Sequence, residues 1–346
     1  MASQEIPPGI KEACHGCYYV IIVVMWLQAA ITIVANLLAI AAFFRAKRIC
    51  RKISNYFILN LSIADLLVGV MVIPLNNLFV YYGYWPFGKI ACKFWLLFQF
   101  ACTVLSGFAL VLISWDRFMW VRAPLLYISY QSKKRAISVI MATVLASYVF
   151  VSVIDVEWEE LSGVRNINYT LECASEGIHS LAYAMVTLVF EFLLPMTLLT
   201  SFNALVFVKI RRILLARQRT ESGTISMGID DAHEQKHSSS SGGSGSVLTS
   251  GDAGASPSNP RMPGSQAYRK SAIMLALMTG TFLICWCPWF ITVFINALGV
   301  PVSPYALWGV SYLMFFNSAI NPFLYASTNV HYRAQMMSFL CFLRRR

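Results

Sequence analysis

Residues 271–332 read SAIMLALMTGTFLICWCPWFITVFINALGVPVSPYALWGVSYLMFFNSAINPFLYASTNVHY, and they contain no Asp, Glu, Lys or Arg. A helix needs about 20 apolar residues to cross a bilayer, so this stretch is too long for one crossing. The segment GVPVSP at residues 299–304 breaks it with a glycine and two prolines. The stretch therefore predicts two membrane-spanning helices joined by a short turn.

The composition of the whole chain agrees with a membrane protein. Of its 346 residues, 58% are hydrophobic and only 12% are charged. Soluble domains carry about 25% charged residues. A soluble fold would have to expose the excess apolar surface, which favours aggregation. The net charge of +11 does not indicate a nucleic-acid partner, because the basic residues lie beside the apolar runs, as in cytoplasmic loops.

Five further apolar stretches precede the opening one, so we expect an all-α membrane protein, a seven-transmembrane helix bundle. The expected spans are residues 18–45, 53–80, 90–122, 134–155, 178–211, 268–298 and 304–328. Residues 212–267 have a Ser/Gly-rich centre, which predicts a disordered cytoplasmic loop. Residues 329–346 are expected to form a short amphipathic helix on the membrane lipids. On this helix Cys341 is either a palmitoylation site or an unmodified cysteine.

The loops predict the orientation of the bundle. Basic residues are concentrated after spans one, three and five and at the chain end, which places these parts in the cytoplasm and residues 1–17 outside the cell. The sequon at Asn168 then lies outside as a glycosylation site. Cys92 opens the third span and Cys173 lies in the same outer loop as the sequon. A disulfide between them is permitted on this oxidising side.

Polar residues inside the spans need a partner or a hydrated cavity, because the bilayer interior offers them no water. One such set could hold a cation, or it could hydrogen-bond the helices together: Asp65, Ser106, Asn317 and Asn321. At the inner end of the third span, Asp116 and Arg117 either neutralise each other and anchor the helix or belong to a switch. Residue type and spacing leave both questions open.

A series of short motifs falls in order on these spans. They are Asn36, residues 61–65 (LSIAD), 85–88 (WPFG), Cys92, residues 116–118 (DRF), 124–125 (PL), Pro195, Phe282, residues 285–288 (CWCP) and 321–325 (NPFLY). Over nearly its whole length, the chain resembles the rhodopsin-like family of G-protein-coupled receptors. The resemblance implies a plasma-membrane receptor for an extracellular small molecule, coupled to a heterotrimeric G protein and modulated by a sodium ion at the Asp65 set. It does not imply an enzyme.

Within that family the chain is most similar to aminergic receptors, in particular the third and fourth histamine subtypes. The similar segments are residues 111–118 (VLISWDRF), 158–163 (WEELSG) and 190–192 (FEF), together with Asn203, which lies eight residues after Pro195. The resemblance implies a G protein of the inhibitory class. A seven-span ion or proton transporter is the alternative from another class, although no inverted repeat is evident.

The ligand site implied by the resemblance departs from the aminergic pattern. Gln99 stands where aminergic receptors hold the ligand's ammonium with an aspartate, and an amide lacks that charge. Glu191 stands where the histamine-like receptors contact the ligand, and we expect it to be the sole charged contact. The expected binding residues are Gln99, Glu191, Trp95, Phe100, Thr103, Trp286, Trp289, Phe290, Tyr312 and Phe315. The ligand is either an amine anchored on Glu191 or a molecule of another class.

The resemblance also implies a switch that carries ligand binding to the G protein. Its expected residues are Asp116, Arg117, Phe118, Asn203, Phe282, Trp286, Pro288, Asn321, Pro322 and Tyr325. Tyr268 stands where an acidic partner for the span-three arginine often lies. We therefore expect a weakly held inactive state and high basal signalling.

Overall fold

The computed structural model describes residues 15–178, 180–234 and 265–344. Eight helices dominate this part of the chain. In order they are α1 (His15–Arg45), α2 (Ser54–Tyr82), α3 (Gly88–Arg122), α4 (Lys133–Val156), α5 (Leu181–Thr187, continuing through Leu188–Leu193 and Leu194–Glu234), α6 (Ser265–Ala297), α7 (Pro304–Thr328) and α8 (Val330–Arg344). Three short helices lie between them, at Lys47–Cys50, Pro124–Tyr130 and Trp158–Ser162.

Seven of these helices can cross a membrane. Six of them, α1 to α6, are long and apolar enough by length and composition. The seventh, α7, has 25 residues, none of them charged, and spans about 37 Å at 1.5 Å per residue. The hydrocarbon core of a bilayer is about 30 Å thick. The predicted seven-helix bundle is confirmed, and both spans of the opening stretch are present.

Prolines explain two of the irregular turns in these helices. A π-helical turn at Val68–Val72 precedes Pro74 in α2, and another at Leu188–Leu193 precedes Pro195 in α5. Proline lacks an N–H group, and its ring clashes with the carbonyl four residues earlier, so the helix must widen or bend there. Glu191 lies in the second of these turns.

Helix α3 forms the centre of the bundle. In the most apolar 18 residues of α3, 78% of the residues are buried, against 11% in the corresponding part of α4, whose apolar side chains mostly face outward. Helix α3 packs against α2, α4, α5 and α6. Cys92 lies near one end of α3 and Arg117 near the other. These ends of the bundle are called below the disulfide end and the Arg117 end.

A polar link joins the first and last spans. The Asn36 side chain donates from Nδ2 to the carbonyl oxygen of Thr32 at 2.9 Å and to that of Ser318 on α7 at 3.0 Å. Interhelical hydrogen bonds of this kind help to hold helices together in a bilayer, because lipid tails are as apolar as the side chains and the hydrophobic effect does not drive helices together there.

The region between α5 and α6 differs from the expected loop. Helix α5 continues to Glu234, well beyond residue 212, where we expected a disordered loop to begin. The reason is local: residues 196–234 contain no proline, and the run 213–219 (ILLARQR) is rich in helix-forming residues. The Ser/Gly-rich run at 238–250 lies outside the described residues.

Helix α8 follows the last span at the Arg117 end. Tyr332 and Met336 on it are buried, whereas Arg333 and Met337 are exposed, as an amphipathic helix requires. The Tyr332 ring faces that of Tyr325 on α7, with centroids 6.1 Å apart. The side chain of Cys341 lies outside the described residues.

Candidate ligand cavity and switch

A cavity of about 100 Å³ lies toward the disulfide end, among α2, α3, α5, α6, α7 and the segment after Cys173. Seven of the ten expected ligand-binding residues line it: Trp95, Gln99, Phe100, Glu191, Trp289, Phe290 and Phe315. Its wall is mainly aromatic and aliphatic with a few polar groups, the usual composition of a small-molecule site.

Thr103 and Tyr312, which were expected in this wall, lie outside it. Thr103 follows Gln99 by four residues, so it lies one helical turn further along α3. The Tyr312 hydroxyl accepts from Asn76 Nδ2 at 2.8 Å and donates to Asn77 Oδ1 at 2.8 Å. These two hydrogen bonds hold the tyrosine against α2.

Trp286 is also outside the cavity wall. It belongs to an aromatic column, formed by Phe290, Trp286, Phe282 and Phe192, that begins in the wall at Phe290. Its ring lies 6.0 Å from that of Phe290 in the wall and 5.2 Å from that of Phe282, measured between centroids, and both pairs are nearly parallel. Phe192, on α5, stacks on Phe290 at 4.9 Å and on Phe282 at 6.4 Å. The expected switch residues Phe282 and Trp286 therefore touch the cavity through Phe290.

The disulfide between Cys92 and Cys173 is confirmed, with 5.5 Å between the Cα atoms. It holds the segment after Cys173 over the cavity, where Ser175 and Ile178 join the wall. These residues were not among the expected ones, because a loop carries no periodic signal and its position depends on this cross-link.

Two polar groups in the wall have unused hydrogen-bonding capacity. Gln99 is 6% exposed and Glu191 is 4% exposed. Within the described part of the chain, Gln99 Oε1 and Glu191 Oε1 have no hydrogen-bond partner. A buried polar atom without a partner costs free energy, so both atoms are suited to meet a ligand.

Another buried acid lies next to Glu191, and it was not among the expected site residues. Asp155 is 1% exposed and lies in a π-helical turn, Ser152–Val156, at the end of α4. Tyr183 on α5 donates its hydroxyl to Asp155 Oδ1 at 2.5 Å, and the Asp155 and Glu191 side chains contact each other. Asp155 was missed because it closes the predicted span and is followed by the acidic segment VEWEE, residues 156–160, which is typical of a loop.

Basic side chains at the disulfide end are engaged by a different acid. Glu159 accepts from Lys89 Nζ at 2.7 Å and from Arg165 Nε at 2.8 Å, and Lys93 Nζ is 3.7 Å away. The hydrogen bond from Lys89, reinforced by these charges, lowers the pKa of the Glu159 carboxyl group. Lys93 also pairs with Glu157 at 3.3 Å.

The expected cation set is partly assembled in the middle of the bundle. Asp65 is fully buried and accepts from Ser106 Oγ at 3.3 Å and from Asn321 Nδ2 at 2.9 Å. Asn317 is buried, and neither of its amide atoms has a partner among the described residues. A carboxylate, a hydroxyl and an unused amide oxygen are the hard oxygen donors that suit an alkali or alkaline-earth cation.

At the Arg117 end, Asp116 is satisfied by neutral groups. Its carboxylate accepts from Ser54 Oγ at 2.6 Å, from the Tyr127 hydroxyl at 2.8 Å and from Gln131 Nε2 at 3.1 Å. No ion pair of Arg117 is found in the described residues. Of the two interpretations left open, mutual neutralisation of Asp116 and Arg117 is therefore not what the structure contains.

The other expected switch residues connect neighbouring helices. Asn203 on α5 donates from Nδ2 to Thr279 Oγ1 on α6. The ring of Phe118 on α3 lies 5.7 Å from that of Phe202 on α5. Tyr325 on α7 is fully buried, and its hydroxyl has no partner within the described residues. Prolines 288 and 322 lie inside α6 and α7, where each removes a backbone hydrogen bond.

Seven apolar helices around a mainly aromatic and aliphatic cavity, with buried polar groups at mid-bundle, define a multi-pass membrane protein. The family described as 7 transmembrane receptor (rhodopsin family) matches residues 35–325, and the chain belongs to it. It is thus a receptor-family protein and not a member of an enzyme family.

The relatives found among known proteins include receptors for different amines. The alpha-1D adrenergic receptor of Mus musculus is 29% identical over 323 residues, which cover 91% of this chain and 56% of that receptor. The 5-hydroxytryptamine receptor 1 of Aplysia californica is 28% identical over 95% of this chain and 75% of its own length. The 5-hydroxytryptamine receptor 1B of Equus caballus is 26% identical over 90% and 84%. The expected closeness to histamine receptors stays a prediction.

Proposed function

We propose that this chain is a plasma-membrane receptor that binds an extracellular small molecule in the cavity and activates a heterotrimeric G protein. The observation that carries the proposal is the placement of Gln99 and Glu191, each with an unused oxygen, in a cavity whose wall includes Phe290. Phe290 stacks directly on Trp286 in the aromatic column. A molecule bound there contacts the first member of a continuous path into the bundle.

The orientation follows from charge and from the loop between α4 and α5. Basic side chains surround the Arg117 end, whereas those at the disulfide end are few and are paired with Glu157 and Glu159. The positive-inside rule then places the Arg117 end in the cytoplasm and the disulfide end outside the cell. Asn168 is exposed at the outer end, where it is accessible for glycosylation.

Signalling would use two arrangements of the same helices, with ligand binding favouring one of them. Repacking of Phe290, Trp286 and Phe282 would let α6 swing at Pro288 and open the cytoplasmic face. Arg117 and Asn203 then become accessible to the G protein. We favour the inhibitory class of G protein by resemblance to the histamine receptors.

The ligand that we favour is a biogenic amine or a close relative of one. The named relatives are receptors for adrenergic ligands and 5-hydroxytryptamine, and the resemblance extends this to histamine. With Gln99 neutral, Glu191 supplies the negative charge and the aromatic wall supplies cation–π contact. A ligand that is not an amine is the alternative, because the charge expected on α3 is missing.

A sodium ion is a natural regulator of this bundle. Asp65, Ser106 and Asn317 supply the charge and oxygen atoms to hold it, and an ion there would tie α2, α3 and α7 together in the inactive arrangement. Cys341 near the chain end remains a candidate for palmitoylation.

Basal activity is expected to be high, because no ion pair of Arg117 is found in the described part of the chain. Expression of the chain without ligand, read out for each G-protein class, tests this expectation. A signal no higher than that of mock-transfected cells in every class would contradict it.

A ligand screen read out across G-protein classes tests the main proposal, with Glu191→Gln as the variant and Glu160→Gln as the matched control at an exposed site. We expect a ligand whose potency falls in the first variant and not in the second. Ion currents or substrate uptake without G-protein activation would support a transporter instead.

A further inference from the structure

Two buried carboxyl groups meet beside the cavity, although they come from different helices. Asp155 belongs to the irregular last turn of α4, and Glu191 belongs to the irregular turn of α5 before Pro195. Their side chains contact each other. Tyr183 holds Asp155 by a hydrogen bond of 2.5 Å. Both π-helical turns are departures from regular geometry of the kind that often marks functional sites.

This pair has no counter-charge in residues 15–178, 180–234 and 265–344. The basic side chains at this end of the bundle are bound to Glu157 and Glu159. One oxygen of each carboxyl group, Asp155 Oδ2 and Glu191 Oε1, has no hydrogen-bond partner there. Two ionised carboxylates in contact would repel each other, so the pair without a ligand shares a proton in a hydrogen bond, and a cation can take the place of that proton. The pair is therefore suited to a positive group that arrives from outside the protein.

The cavity gives such a group access to the pair. Glu191 and Tyr183 both line it, whereas Asp155 lies behind them. On α3, Gln99 presents its own unpartnered Oε1 to the same cavity and is itself more than nine-tenths buried. Flat rings complete the wall, among them Phe100 and Phe290. The acidic end of the cavity is thus at α4 and α5, and the end at α3 is polar but uncharged.

We propose that Asp155 and Glu191 together form the cation-binding end of the cavity and select a small planar nitrogen cation with paired N–H donors, such as an amidinium, guanidinium or imidazolium group. The inference rests on the proposed function, and it adds the class of ligand and a second carboxyl group. Glu191 meets the ligand directly. Asp155 is a positioning residue, because it acts through its contacts with Glu191 and Tyr183. A forked pair of N–H groups matches a carboxylate, and a planar cation stacks on the rings of the wall.

Binding of two nearly isosteric probes to the purified full-length receptor tests the proposal. The probes are benzamidinium, a planar cation, and benzamide, its neutral counterpart, and the readout is the shift of the thermal unfolding midpoint with probe concentration. The proteins are the unaltered chain, Asp155→Asn, Glu191→Gln and the control Glu160→Gln. Glu160 is exposed and makes no ion pair in the described residues.

We expect the unaltered chain and the control to prefer benzamidinium over benzamide by at least about tenfold in affinity, since a hydrogen bond to a charged group is worth more than one to a neutral group. We expect each of the other two variants to reduce this preference by at least about tenfold. The ratio of the two affinities separates charge recognition from a general loss of stability, because a loss of stability would weaken the binding of both probes alike.

Three results would overturn the proposal: no stabilisation by millimolar benzamidinium, equal stabilisation by benzamide, or a preference that survives either substitution. If Asp155→Asn does not fold, a preference that survives Glu191→Gln overturns the proposal on its own. The assay contains no G protein. A receptor that prefers the cation but activates no G protein would refute the proposed function and leave this inference standing.

Discussion

Replacing Tyr127 by Phe should loosen the Arg117 end of the bundle through the loss of a single hydroxyl group. Tyr127 lies on the short helix Pro124–Tyr130, and its hydroxyl donates to Asp116 Oδ1 at 2.8 Å. Burial raises the pKa of Tyr127 to about 12, so the hydroxyl keeps its proton at physiological pH. Asp116 is fully buried, and it retains Ser54 and Gln131 as donors after the substitution.

The magnitude follows from the charge of the acceptor. A hydrogen bond to a charged group contributes about 1.5–3 kcal/mol. Because two donors to Asp116 remain and Tyr127 is only half-buried, we expect the lower end, about 1.5 kcal/mol. This corresponds to a fall of about 2 °C in the unfolding midpoint, at an unfolding entropy of about 2.1 cal/mol/K per residue over 346 residues. If the hydrogen bond exists only in the inactive arrangement, the population of the active one rises about tenfold, since 1.4 kcal/mol is a factor of ten.

Thermal unfolding of the purified receptor and basal signalling per surface receptor measure the two effects. Tyr130→Phe is the matched control, because Tyr130 lies on the same helix and is 53% exposed, with its ring rather than its hydroxyl in contact with Arg135. The control should change neither quantity. Equal midpoints and equal basal signals for Tyr127→Phe and Tyr130→Phe would refute the reasoning.

Three further predictions concern the outer half of the bundle. Gln99→Asp should create a response to histamine or acetylcholine in a signalling assay if the rest of the cavity accepts amines, and no gain would favour a ligand of another class. Cys173→Ser removes the disulfide to Cys92, which closes a sequence separation of 81 residues and stabilises the fold by up to about 4–5 kcal/mol through chain entropy. The substitution should therefore lower surface expression measured by antibody labelling, and unchanged expression would count against the prediction. Lys89 lowers the pKa of Glu159 from its usual 4.5, so the stabilisation of the fold by this ion pair is complete above about pH 4.5 and is lost as pH falls through the lowered pKa. Unfolding midpoints measured against pH should show that loss in the unaltered chain and not in Glu159→Gln, and identical profiles would contradict the prediction.

The fold was predictable because bilayer thickness imposes a length on every span. An uncharged run of residues such as 304–328 has few alternatives to a membrane helix, and the structure contains one there. The end of α5 was not predictable by the same reasoning. Residues 212–234 are too polar to cross a membrane, and hydropathy does not distinguish a helix that continues past the membrane edge from a loop.

The cavity was predictable where the resemblance assigned residues and where single-helix spacing was enough, as for Gln99 and Glu191. It was not predictable where the position of a side chain depends on a partner distant in sequence. Tyr312 turns away because two asparagines of α2 bind its hydroxyl. Asp155 is buried because Tyr183 and Glu191 cover it from another helix, and neither contact leaves a periodic signal along α4.

The displacement of negative charge from α3 to α4 and α5 has a consequence for how a ligand would act on the switch. Glu191 is followed directly by Phe192, whose ring stacks on Phe290 at 4.9 Å and on Phe282 at 6.4 Å. A cation drawn to Glu191 therefore pulls on the turn of α5 that carries one member of the aromatic column, and Phe290 in the cavity wall is another member. On the proposed function, a ligand anchored at this end would couple α5 to α6 at the column itself, so the receptor would need no charged anchor at Gln99 to be switched.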